Sequence, residues 1–234
     1  MYKVERAIIM AAGFGSRMVP VTLSTPKPLV KVNGVRIIDT IIEALYKNSI
    51  NEIYIVVGYL KEKFNDLLKE YPNITLIENL YYDKCNNISS LYCAREYIKN
   101  AIIIDGDQII KNYQILTPYF EKSGYLSSYT KEHTNEWLQT VDDNNYVLSC
   151  SRNGGENGWR LYGISKWNEE DAMKLKKCIE YEFEIKKNRD VYWDDVAMFF
   201  HKEEFKLKIY PIKDNDIIEI DSYDELKEID SSYK

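Results

Sequence analysis

The hydrophobic pattern of the first half alternates between unbroken apolar runs and stripes of helical period. Ala7 to Ala12, Ile53 to Val57, Ile74 to Ile77 and Ala101 to Ile104 are short runs, mostly β-branched, as expected for strands buried on both faces. Between them, apolar residues recur on one face of predicted helices: Ile37, Ile38, Ile41, Ile42 and Leu45; then Phe64, Leu67 and Leu68; then Leu91, Cys93, Ala94, Tyr97 and Ile98. Asn86 or Asn87 is placed to cap the third helix. Alternating strands and helices predict an α/β fold with a doubly wound, mostly parallel, Rossmann-like sheet. Its ligands are expected at the carboxyl ends of the strands.

After Asp107 the pattern changes. Tyr125 to Thr130, Trp137 to Val141, Tyr146 to Ser151 and Arg160 to Ser165 read as antiparallel strands, with Asp143-Asn144-Asn145 as a turn. Helical patterns follow over Ala172 to Lys186 and Asp194 to His201, then strands at Leu207 to Ile212 and Ile217 to Ile220, and a closing helix from Tyr223. No low-complexity linker or internal repeat interrupts the chain. The expectation is one continuous domain over 1–234 in two halves, 1–110 and a β-rich insertion over 111–234.

Composition narrows the chemistry. A net charge of −6 over 234 residues gives no electrostatic footprint for nucleic acid or an anionic membrane. Phosphate chemistry would need a local cluster of cations or a metal. Four cysteines without Cys-x-x-Cys spacing and two distant histidines argue for free thiols and against zinc. No apolar run reaches spanning length and no signal peptide is legible, so a cytoplasmic protein is expected.

The first strand breaks into Gly13-Phe14-Gly15-Ser16, followed at once by Arg17; ten residues on, Lys27 stands between Pro26 and Pro28. A glycine turn after a strand is common and weak alone. With a guanidinium attached and a lysine whose backbone is fixed on both sides, it becomes a phosphate cradle with two cations. It is no Walker A loop, which needs adjacent Gly-Lys-Ser/Thr. The strand ending at Ile104 delivers Asp105-Gly106-Asp107 to the same sheet edge, a candidate Mg²⁺ site as well as an ordinary acidic turn. A second acidic strand end, Glu219-Ile220-Asp221, lies far downstream, where Asp221 is also a possible helix cap.

Ala11-Ala12-Gly13-Phe14-Gly15-Ser16-Arg17 with Pro26-Lys27 resembles the signature of the sugar-1-phosphate nucleotidyltransferase superfamily. That resemblance implies that Asp107 and Asp221 share a catalytic Mg²⁺. A nucleoside triphosphate then lies over Gly13 to Arg17. A phosphate oxygen of the second substrate attacks the α-phosphorus and pyrophosphate leaves, with no covalent intermediate and no general base. Lys27 would touch the α-phosphate and Arg17 the leaving pyrophosphate; catalysis is positioning and charge stabilisation.

The second half supplies the acceptor side. Trp137, Trp159, Trp167, Tyr192 and Trp193 stand near Glu136, Asp194 and Asp195. Aromatic faces beside carboxylates suit a quaternary ammonium, which has no N–H to donate; packing in the core is the alternative for each, above all for Trp167. Glu136, Trp137, Tyr192, Trp193 and Asp194 are the expected cage. Here the chain resembles bacterial choline-phosphate cytidylyltransferases, in Val57 to Glu62, Asn86-Asn87, Ser90-Leu91-Tyr92, Thr134 to Trp137, Val191 to Asp194 and Ile218 to Ser222. The resemblance implies CTP and phosphocholine as substrates and CDP-choline as product. It implies a base site near Ala11, Gly13, Tyr59, Asn87, Ser89 and Asp105, and a pathway with, or fusion to, a choline kinase and a phosphocholine transferase. The Asn153-Gly154-Gly155-Glu156-Asn157-Gly158 loop departs from that family in being longer and richer in glycine. Rival readings are a 2-aminoethylphosphonate cytidylyltransferase, a sugar-1-phosphate nucleotidyltransferase and a non-catalytic binding module. The last has no need of Arg17, Lys27, Asp107 and Asp221 together.

Overall fold

The computed structural model describes residues 1–234. In chain order its main elements are β1 (Arg6–Ala11), α1 (Ile37–Lys47), β2 (Glu52–Val57), α2 (Asn65–Glu70), β3 (Ile74–Glu78), α3 (Ile88–Ala94) and β4 (Ala101–Asp105). Then come β5 (Gln108–Ile110), β6 (Gly124–Thr130), β7 (Leu138–Val141), β8 (Val147–Ser151), β9 (Gly158–Trp167) and α4 (Glu169–Glu180). The chain closes with β10 (Lys208–Pro211), β11 (Ile217–Glu219) and α5 (Tyr223–Ile229).

The expected doubly wound sheet is present. β1 pairs in parallel with β2 and β4, and β2 in parallel with β3. The insertion then continues the same sheet: β9 runs antiparallel to β4, and β6 and β7 pair antiparallel with β9. β10 joins β6 in parallel, a departure from the antiparallel character of its neighbours. The two faces carry separate cores. Ile9, Ile38, Ile41, Ile55 and Ile104 belong to one, Ile8, Met10, Leu91, Ile103, Trp167 and Trp193 to the other. Successive residues of β1 alternate between these cores, which is why its sequence is apolar at nearly every position.

The helix expected over 172–186 is α4 followed by a π-turn over Tyr181–Ile185, and a second π-turn, Val196–Phe200, follows a short helix beginning at Trp193. Asn87 occupies the N-terminal position of α3 but does not cap it with its side chain. Its Oδ1 instead accepts the Trp193 backbone N–H at 2.9 Å, tying α3 to the short helix that begins at Trp193.

Candidate active site

β1 and β4 are adjacent and parallel, so the turns that leave them share one edge, where a cleft of about 360 Å³ opens. The Gly106 N–H donates to Met10 O at 2.9 Å, and a Cβ at Gly106 would lie 2.8 Å from that oxygen. Only glycine lets the acidic turn close so tightly on the first strand.

On the other side of the cleft, Gly15 takes φ +68°, and its carbonyl accepts the Thr22 hydroxyl at 2.9 Å. A Cβ there would meet Lys27 Cβ at 3.2 Å, so this glycine sets how near the lysine backbone comes. Pro26 and Pro28 frame a 3₁₀ turn, Lys27–Leu29, that carries the lysine inward. Its Nζ donates to Asp107 Oδ2 at 2.8 Å and Asp221 Oδ1 at 3.0 Å, while Arg17 reaches the same Asp221 oxygen at 2.9 Å. Burial alone would lower the Lys27 ammonium; attraction to Asp107 and Asp221 outweighs it, and the group is held above its ordinary value.

Asp221 leaves the helix cap to its neighbour. Ser222 caps α5 by accepting the Glu225 N–H, and Glu225 accepts the Asp221 N–H at 2.7 Å in return. The Asp221 carboxylate is thereby turned to the cleft. β11 ends at Glu219, whose side chain lines the same cleft as that of Asp221 two residues on. One oxygen each of Asp107, Glu219 and Asp221 lie within 4.8 Å of one another. Asp107 Oδ1 is buried with no hydrogen-bond partner. Burial, then repulsion from Asp107 and Asp221, pushes the Glu219 carboxyl well up. Three hard oxygen donors, one unpaired and one strained by its neighbours, are a donor set that fits a divalent cation.

Asp105 faces the cleft with its carboxyl against β9, where a Cβ at Gly163 would fall 1.9 Å from Asp105 Oδ2. Burial and the charge of Asp107 raise this carboxyl well above the usual range. Trp137 and Tyr192 meet edge to face at 5.8 Å in the cleft lining, which also holds Asp194 and, within the influence of Asp221 and Arg17, Glu136. Burial raises the Asp194 carboxyl to about 7, against the pull of Tyr125 and with the push of Asp195.

The cleft therefore gathers Ala11, Ala12, Gly13, Gly15, Arg17, Lys27, Asn87, Asp105, Asp107, Glu136, Trp137, Tyr192, Asp194 and Asp221 from the residues expected there. Five others stand elsewhere. Trp193 is fully buried, stacked on Tyr125 at 6.0 Å and edge-on to Trp167 at 6.3 Å; it is core, as Trp167 is, and not cage. Ser89 is buried; it and Ser90 both accept from the Asn79 amide, and it is Ser90, one step along α3, that lines the cleft. Tyr59 gives its hydroxyl hydrogen to Thr22 O at 2.9 Å, and Phe14 packs edge-on to Tyr59 at 4.6 Å. Both brace the glycine turn from outside; Ser16 is exposed beside them. Glu219 was named in the acidic Glu219-Ile220-Asp221 strand end but given no metal role, although its i, i+2 relation to Asp221 was the available signal. The sequence reading missed Gly163, whose requirement exists only through Asp105.

Residues 6–136 match the family model of nucleotidyl transferases. A 2-aminoethylphosphonate cytidylyltransferase of Lancefieldella rimae is 37% identical over 97% of this chain and 92% of that protein. A choline-phosphate cytidylyltransferase of Streptococcus pneumoniae is 36% identical over 98% of each. The solved CTP:phosphocholine cytidylyltransferase from Streptococcus pneumoniae superposes with a TM-score of 0.90 at 34% identity, covering 98% of this chain and 99% of that one. Likeness that runs through nearly the whole chain, and not only through its glycine turn, makes this protein a nucleotidyltransferase, a member of the nucleotidyl transferase family.

Proposed function

We propose that this enzyme transfers the cytidylyl group of CTP to phosphocholine, releasing pyrophosphate and forming CDP-choline. The observation that carries the reading is the content of one cleft: two cations and an acid triad, with Glu136 close enough to feel Asp221 and Arg17, and the Trp137–Tyr192 wall with Asp194. The cations and triad suit a triphosphate, and the wall a phosphate ester with a cationic tail. The Streptococcus pneumoniae choline-phosphate cytidylyltransferase at 36% identity supports it.

Mg²⁺ on Asp107, Glu219 and Asp221 would supply charge neutralisation at the α-phosphate. In the reading proposed, Lys27 faces the α-phosphate and the incoming phosphate oxygen, and Arg17 holds the leaving pyrophosphate. Gly13 offers its face without a side chain; a Cβ there would meet nothing within 4 Å. Asp105, whose carboxyl is raised by burial and by the charge of Asp107, lines the cleft on the side proposed for the nucleotide. The acceptor phosphate is already an anion, so orientation rather than deprotonation is what the residues provide. The chain works as one domain, with 1–110 serving the nucleotide and 111–234 the acceptor and one side of the metal site. Such substrates, with four free cysteines, suit the cytoplasm.

A second reading, 2-aminoethylphosphonate as acceptor, is favoured by the relative of that name at 37% identity and by Asp194 and Glu136 in the cleft lining. A primary ammonium would draw on Asp194 and Glu136 through N–H donation and less on the rings. Incubation with CTP, Mg²⁺ and phosphocholine, followed by ³¹P NMR, tests the main reading. Paired diphosphate resonances of CDP-choline with equimolar pyrophosphate are expected; unchanged phosphocholine would refute it.

A further inference from the structure

Directly behind the acceptor wall, outside the cleft lining, stands a cation. Arg152 follows β8, and its guanidinium lies 4.0 Å from the Phe199 ring centroid and 5.8 Å from that of Trp137. The same group is ion-paired to Asp195, whose side chain is 5% exposed. Asp195 Oδ2 in turn accepts the Tyr192 N–H at 2.9 Å. Phe199 meets Trp137 edge to face at 5.4 Å. One side chain is thus linked to both members of the wall, to Trp137 through ring faces and to Tyr192 through a shared carboxylate.

The loop after Arg152 is built to hold this arrangement. Thr134 and Gly155 exchange backbone hydrogen bonds of 2.8 and 3.0 Å, fastening the loop to the segment that leads into Trp137. A Cβ at Gly154 would fall 1.8 Å from Thr134 O, and Gly154 and Gly155 adopt φ +68° and +145°. The glycines that set this loop apart in the sequence are the condition for that close approach.

Resting on the phosphocholine reading, we propose that Arg152 is a positioning residue that braces the Trp137–Tyr192 wall from behind and so sets the preference for a quaternary over a primary ammonium. The reason is chemical. A trimethylammonium has no N–H and is held by ring faces, whose placement decides its affinity. A primary ammonium is held by hydrogen bonds to carboxylates and tolerates a shifted ring. Arg152 also compensates the buried charge of Asp195, which would otherwise stand uncompensated beside Asp194.

The test uses the full chain, with kcat and KM measured for phosphocholine and phosphoethanolamine and KM for CTP. In Arg152→Gln the phosphocholine KM should rise about tenfold and the phosphoethanolamine KM less than about threefold, with the CTP KM unchanged. Arg152→Lys keeps the ion pair and loses the planar stack, so it should fall between wild type and Gln. An unchanged phosphocholine KM in Arg152→Gln, or an equal rise for both acceptors, overturns the proposal. If Arg152→Gln does not fold, Arg152→Lys decides: a phosphocholine KM that does not rise relative to phosphoethanolamine overturns it. Wild-type protein that does not turn over phosphocholine refutes the function proposed above before any variant is read, and the inference with it.

Discussion

Lys27 Nζ lies 2.8 Å from Asp107 Oδ2, a contact between residues 80 positions apart that joins the proline-framed turn to the end of β4. It is the point where the glycine-turn side and the acidic side of the cleft meet. A buried ammonium balanced by two carboxylates keeps its charge at any pH near neutrality, which is what an anion-stabilising group needs.

Lys27→Ala should lower kcat by roughly 10²–10³, the range for loss of one group aimed at developing charge. Circular dichroism should be unchanged, and titrated Mg²⁺ should raise the melting temperature more than in wild type, since it would relieve the repulsion among Asp107, Glu219 and Asp221. Near-normal turnover would remove Lys27 from the mechanism.

Glu219→Gln tests the third acid. Its folded carboxyl is pushed above the unfolded value, so the native chain holds a proton there that the unfolded chain releases as pH rises. This group therefore costs stability above the unfolded pKa, increasingly until the folded one is passed. The Gln variant should melt higher than wild type at pH 8 without metal, with little difference at pH 4. It should also need more Mg²⁺ for half-maximal activity.

The same sign applies to Asp194, raised from 3.8 to about 7. Its stability penalty grows between those values, so Asp194→Asn should gain more in melting temperature at pH 8 than at pH 4, each kcal/mol being worth roughly 2–4 °C. For binding the effect is opposite: the acceptor cation needs the ionised form. The wild-type phosphocholine KM should fall as pH rises from 6 to 8, and Asp194→Asn should flatten that profile while raising KM.

Trp137 and Trp193 should separate cleanly. Trp137→Ala should raise the phosphocholine KM and leave the CTP KM nearly unchanged. Trp193→Ala empties a fully buried core position and should cost about 3–5 kcal/mol of stability in denaturant titrations. Equal loss of CTP affinity in Trp137→Ala would make that residue structural.

How far the sequence carried depended on whether a feature was periodic, local or distant. The strands β1 to β4 were legible because both faces of the sheet are covered, which forces uninterrupted apolar runs. The Gly15 turn and Lys27 were legible because glycine and proline constrain the backbone wherever they stand. The choice between Ser89 and Ser90 was not, since a helix turns about 100° per residue and its rotation is set by packing. Trp193 shows the same limit: beside two carboxylates it read as cage, yet only its contacts with Tyr125 and Trp167 reveal a core residue. Gly163 was invisible in principle, because its reason is an aspartate 58 positions away that no spacing announces.

The central claim is a cytidylyl transfer to a phosphate ester bearing a cationic tail. The most direct measurement is pyrophosphate release with phosphocholine, 2-aminoethylphosphonate, phosphoethanolamine and glucose 1-phosphate, each against CTP, UTP, ATP and GTP. The highest kcat/KM should belong to CTP with phosphocholine. A preference for glucose 1-phosphate or for a purine triphosphate would contradict it.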